Sequence, residues 1–232
     1  NMKTIGMIGG MSWESSVEYY KLVNEGIHHV LGGVHSAKSV MVSVDFAEIE
    51  VLQTQARWEE ATQMMVEAAR QVEAAGADFL VICTNTMHMM ADEVQAAIHI
   101  PLLHIADVAG REVVKRGIRT VGLLGTRFTM QGDFYRGRLA EKFGLKVIIP
   151  SEEDQTVIHD VIYNELVTGK IVEKSRAAYL QIIEKMAAQS AEGVILGCTE
   201  IGLLVKQSDC RLPLFDTTPL HAQAAVEFAL SE

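Results

Sequence analysis

GADFLVICTNT, Gly76–Thr86, and SAEGVILGCTE, Ser190–Glu200, are the two stretches whose reading decides the fold. Each is a short apolar run ending in small polar residues, as when a strand buried on both faces of a parallel sheet runs out into a turn. Ser190 lies 114 positions after Gly76. The surrounding sequence repeats in the same order: TIGMIGGMS from Thr4 matches TVGLLGTRF from Thr120, 116 positions on, and PLLHIA from Pro101 matches PLFDTT from Pro213, 112 positions on. Three ordered matches at nearly one offset read as a tandem duplication of a unit of about 115 residues.

Outward from these stretches, short apolar runs alternate with longer amphipathic ones, which is the α/β pattern. Strands are expected at 4–8, 39–43, 79–83, 102–105, 120–124, 146–149, 193–196 and 213–215. Helices are expected at 15–30, 56–75, 91–97, 106–116, 134–143, 155–166, 170–189 and 219–230. The expected architecture is two similar α/β domains with parallel sheets related by a pseudo-two-fold axis, residues 1–103 with 211–232 forming the first and 104–210 the second. Ligands of such sheets bind beyond the strand C-termini, so the site is expected in a cleft that both domains line.

Composition narrows the function classes. Hydrophobic residues make up 49 % and charged residues 22 % of 232, enough for packed cores. A net charge of −10 and a pI near 5.3 argue against a nucleic-acid partner, which would need clustered Lys and Arg. No apolar run approaches the roughly 20 residues that span a bilayer, and Asn1-Met2-Lys3 leads straight into a strand, so neither membrane nor leader is expected and the reading is cytoplasmic. Cys83, Cys198 and Cys210 are too few and too irregular for a disulfide framework or zinc site, and the eight histidines lack ligand spacing. No metal is expected. The methionines Met64, Met65, Met87, Met89 and Met90 read as gap-filling core.

The duplication aligns Thr84 with Cys198, each just past an apolar strand. Side chains there face the crevice, and the N–H groups of the following turn can hold a carboxylate. Alternation along the strand turns Cys83 away from the crevice if Thr84 faces it.

CTNTMH at Cys83–His88, GCTEI at Gly197–Ile201 and IGGMSWES at Ile8–Ser15 resemble the aspartate/glutamate racemase family over essentially the whole chain. The resemblance implies a two-domain enzyme, usually a homodimer, that inverts an amino acid with no cofactor. One residue removes the α-proton from one face and another delivers a proton to the opposite face. Thr84 and Cys198 are the expected pair. The family's first motif usually begins with cysteine where this chain has Thr84, and a hydroxyl is a far weaker acid than a thiol, so an asymmetric enzyme with unequal forward and reverse turnover is expected. Asn85, Thr86 and Thr199 resemble the contacts to substrate carboxylate and amino group, and Glu200 resembles a glutamate beside the second catalytic residue. Met11 and Ser12 in the first strand-end turn, with Thr126 and Thr129 in its duplicate, are expected to line the pocket, and Gln53 to help recognise the side chain. A thiol suits the chemistry, with a reference pKa of about 8.5 that helix N-termini or cations lower. Two other readings use the same residues: a decarboxylase or isomerase of the same superfamily working with Cys198 alone, and a non-catalytic amino-acid-binding protein.

Overall fold

The computed structural model describes residues 1–232, which divide into two compact units, Asn1–His104 with His221–Glu232 and Ile105–Leu220. The chain is α/β with parallel sheets.

Unit 1 contains β1 (Ile5–Gly9), α1 (Trp13–Leu31), β2 (Ser39–Ser43), α2 (Phe46–Thr54), α3 (Trp58–Ala74), β3 (Phe79–Ile82), a 3-10 turn (Thr86–Met90) and α4 (Ala91–Ala97). Its sheet runs β2-β1-β3, all parallel, and a single bridge from Leu80 to Leu102 adds a vestige of a fourth strand. Strand periodicity divides the core. Ile5 and Met7 of β1 with Phe79 and Val81 of β3 pack on Tyr19, Val23 and Ile27 of α1; Ile8 with Leu80 and Ile82 packs on the helices of the other side, including Met65 and Ala69 of α3.

Unit 2 contains α5 (Ile105–Lys115), β4 (Thr120–Gly125), α6 (Arg127–Gln131), α7 (Asp133–Phe143), β5 (Lys146–Ile148), α8 (Glu152–Asn164), α9 (Glu173–Ala188), β6 (Val194–Gly197), α10 (Ile201–Leu204) and β7 (Leu214–Asp216), followed by α11 (Thr217–Leu230), whose last ten residues from His221 belong to unit 1. The sheet order is β5-β4-β6-β7, again all parallel. Val121, Leu123 and Ile195 pack on α5 and α7; Leu124, Val194 and Leu196 pack on α8 and α9. With the Leu102 bridge counted as a fourth position, the two sheets have the same strand order.

Four expectations require correction. Residues 211–220 join the second unit instead of the first, because β7 extends its sheet by pairing Leu214, Phe215 and Asp216 with β6. The strand expected at 102–105 is only the bridge at Leu102, since α5 already begins at Ile105. The helix expected from Ala56 starts at Trp58: Ala56 takes a left-handed φ of 54° and breaks it from α2. That helix, α2, was not anticipated although Asp45 caps it by accepting from the Ala47 N–H at 3.0 Å. No helix is long and apolar enough to cross a membrane.

Candidate active site

In unit 1 the parallel register sets Ile8 beside Ile82, so the turn after β1 and the turn after β3 emerge side by side. The first is Gly10-Met11-Ser12. Gly10 has φ 95°, and a Cβ there would run into the Val44 and Ser43 backbone and side chain, so the turn needs glycine. Ser16 Oγ accepts from the Gly10 N–H at 2.8 Å and donates to the Ser12 carbonyl at 3.1 Å, tying the turn to the first turn of α1. Met11 packs into the core cluster with Leu52 and Met87.

The second turn carries Thr84, Asn85 and Thr86, all buried. Thr84 keeps 9 % of its surface, whereas Cys83 keeps none and lies among Tyr19, Val81 and Ala222, where burial pushes its thiol far above the ordinary value. Of these two residues only Thr84 has a surface to offer a ligand. Gln53, buried on α2, donates from Nε2 to Met87 Sδ at 3.4 Å and so reaches the segment that follows Thr84.

Below Thr84 lies a histidine cluster that the sequence did not reveal. His88 Nδ1 is 2.7 Å from the Thr84 carbonyl oxygen; a carbonyl only accepts, so Nδ1 carries the proton. The His88 ring lies 4.6 Å from His104 and 5.9 Å from His221, centroid to centroid. His221 Nε2 is 2.8 Å from the Leu103 carbonyl, which makes Nε2 its donor and Nδ1 an acceptor for the Tyr19 hydroxyl at 2.7 Å. Burial holds His88 well below the ordinary imidazole range, helped by its two histidine neighbours, and pushes His221 down to about 4. All of this lies in unit 1. The hints in the sequence are the place of His88 at the end of the CTNTMH motif and its spacing of four from Thr84, which brings a side chain back to a carbonyl one turn earlier.

In unit 2, Gly125 pairs with Gly197, and the turns after β4 and β6 again emerge together. Thr126 caps α6 by accepting from the Thr129 N–H at 3.3 Å, and its hydroxyl lies 3.4 Å from that of Thr129. Cys198, 6 % exposed, follows β6. Its thiol donates to Glu200 Oε2 at 3.3 Å, and the Thr199 hydroxyl donates to the same oxygen at 2.8 Å. Burial and then the Glu200 charge raise the thiol well above its ordinary value, outweighing the Glu200 and Ile201 N–H groups that favour the thiolate. The expected lowering is therefore reversed: a carboxylate, not a cation, governs this sulfur. Thr217 and Thr218 brace the turn by donating to the Leu196 carbonyl at 2.8 Å and the Thr199 carbonyl at 3.4 Å. Gly202 lies so close to Asp216 that any Cβ would overlap its carboxylate.

Each unit thus presents a buried, barely exposed proton-bearing side chain after a strand, β3 beside β1 and β6 beside β4, with small hydroxyl residues around it. Nowhere are three or more His, Cys, Asp or Glu side chains gathered so as to hold a metal ion.

A family model described as Asp/Glu/Hydantoin racemase matches residues 8–225. The chain belongs to this racemase family. It is 50 % identical, with a TM-score of 0.92, to the solved structure of a Yersinia pestis protein provisionally assigned as an Asp/Glu racemase, covering 99 % of this chain and 100 % of that one. An aspartate racemase homologue from Pyrococcus horikoshii is 35 % identical with a TM-score of 0.84 over 99 % of this chain and 100 % of the other. The broad specificity amino-acid racemase RacX of Bacillus subtilis is 24 % identical over 177 residues, 75 % of this chain and 74 % of RacX. Membership puts the chain among the isomerases.

Proposed function

We propose that this protein racemises polar amino acids, aspartate and glutamate among them, without pyridoxal phosphate or another cofactor. Thr84 and Cys198 exchange the α-proton on opposite faces of the α-carbon. The observation that supports this reading best is the similar setting of the two positions: Thr84 follows β3, which pairs with β1, and Cys198 follows β6, which pairs with β4, and each is almost buried.

The weak acidity of an α-proton sets the physical problem. Charge that develops toward the substrate carboxylate is met by turn N–H groups and hydroxyls, among them Asn85, Thr86 and Thr199, in a site that excludes most water. Cys198 rests as a thiol, so its first competence is to deliver a proton. To act as a base it must lose that proton, and Glu200 is already the acceptor in contact with it. A substrate ammonium beside Glu200 would offset the carboxylate charge and bring the thiol down toward neutral pH. The Thr84 hydroxyl, a far weaker acid than a thiol, stays protonated except when it passes a proton on.

Because the equilibrium constant between enantiomers is one, kcat/KM must be the same in both directions. Asymmetry between Thr84 and Cys198 therefore shows as matched differences in kcat and KM. Localisation in the cytoplasm and assembly as a homodimer are part of the same proposal. The test is proton NMR in D2O with separate L and D enantiomers of aspartate, glutamate and neutral polar amino acids. Deuterium entering the α-position together with inversion, lost in Cys198→Ala, is the expected result; no exchange with any of them overturns the reading.

A further inference from the structure

We propose that His88 is a positioning residue for Thr84: its Nδ1–H, bonded to the Thr84 carbonyl, fixes where the threonine hydroxyl stands, and the Tyr19–His221 pair behind it keeps the imidazole in place. This rests on the reading of Thr84 as one of the two proton-transfer groups.

Three observations carry it. The 2.7 Å bond runs to the backbone of Thr84 itself, so a shift of His88 moves the residue whose placement matters. The tautomers are determined by acceptor-only partners at both ends: the Thr84 carbonyl requires Nδ1–H on His88, and the Leu103 carbonyl requires Nε2–H on His221. The cluster also ties together segments distant in sequence. His221 of α11 bonds Tyr19 of α1 and the Leu103 carbonyl, and its ring packs within 5.9 Å of His88 in the turn after β3. The α1 end of this array is the helix whose first turn holds Ser12. His88 and His221, both buried and held neutral, brace Thr84 without adding charge next to a site where a carbanion must form.

A displacement of about 1 Å in a reacting group is enough to slow a reaction by roughly a hundredfold. Two variants at position 88 separate positioning from mere filling of space. Asparagine places an amide N–H where Nδ1–H stands; leucine fills the volume without a donor. The expected result is that His88→Leu lowers kcat about tenfold or more with KM within about twofold, while His88→Asn keeps most of the activity. The same two substitutions made in Thr84→Ala complete a double-mutant cycle, with racemisation and α-deuterium exchange read together and thermal unfolding confirming that each variant folds. If His88 acts through Thr84, its substitution costs nothing further once the threonine hydroxyl is gone. Equal losses in both backgrounds, or equal losses for Asn and Leu, overturn the positioning role. Full activity in Thr84→Ala alone overturns the role of Thr84 itself, which is a different failure and is seen in a different variant.

Discussion

The ends of β3 and β6 hold equivalent places in sheets of the same order, yet their chemistry differs. At the end of β6 a thiol faces a carboxylate, so its proton is contested between two titratable groups. At the end of β3 the hydroxyl belongs to a residue whose carbonyl is held by a neutral imidazole. On the proposed reading the β6 end supplies a titratable thiol and the β3 end a hydroxyl that only relays a proton. An asymmetric pair of this kind inverts a stereocentre only if the weaker member is held in place, whereas the stronger one can be tuned by its neighbour.

The comparison breaks most directly at Cys198. Cys198→Ala should lower racemisation by about a thousandfold or more, since a placed acid/base group contributes roughly 10²–10⁴-fold. Chiral chromatography of the product checks it, and a loss below tenfold would mean that the sulfur is not in the reaction. Thr84→Ala should cost less, on the order of a hundredfold, because water can replace a weak proton relay in part. Thr84→Cys sharpens the contrast: it puts a thiol at both strand ends and should bring the kcat values for the L and D enantiomers closer together than in the wild type.

Glu200→Gln tests what makes the β6 end titratable. The Glu200 charge raises the thiol, so an uncharged amide should lower it and increase the thiolate fraction at pH 8. Iodoacetamide should then alkylate Cys198 faster than in the wild type while racemisation falls about tenfold, because the proton acceptor is gone. Slower alkylation would show that the carboxylate activates the sulfur instead of restraining it.

Most of the fold was legible in the sequence because it rests on local patterns. Apolar runs buried on both faces announced β1, β3, β4 and β6, and the three repeated segments announced two sheets. What was missed depends on tertiary placement. Residues 102–105 look like a strand, but only Leu102 pairs before α5 begins. Residues 211–220 belong to unit 2 because β7 lies beside β6, a pairing that no local pattern encodes. That Thr84 and Cys198 follow the ends of β3 and β6 was legible from the apolar runs before them. The sign of the shift at Cys198 was not, since it depends on whether Glu200, two residues on, folds back to the sulfur. The partners of His88 were beyond reach for the same reason: His104, His221 and Tyr19 come from segments up to 202 positions apart, as Tyr19 and His221 are.

The smallest effect expected is on stability, and it tests the claim that the β3 end is kept uncharged. Tyr19→Phe leaves the buried His221 Nδ1 without its donor and should cost about 1 kcal/mol at pH 7.5, read as a shift in the urea midpoint. The pH dependence has a definite sign. His221 has a folded pKa of about 4, below its ordinary 6.5, so between these values the unfolded chain binds more protons than the folded one. The stability this confers is complete above about 6.5 and is lost as pH falls through about 4. In Tyr19→Phe the neutral form loses the bond that favoured it, the folded pKa rises, and the acid-dependent loss shrinks. Wild type and variant should therefore differ most at pH 7.5 and converge as the pH drops toward 4. A gap that stays constant from pH 7.5 to 4 would mean that the Tyr19 hydroxyl merely fills space beside an imidazole whose protonation it does not control, and the neutral array beneath Thr84 would lose its anchor in α1.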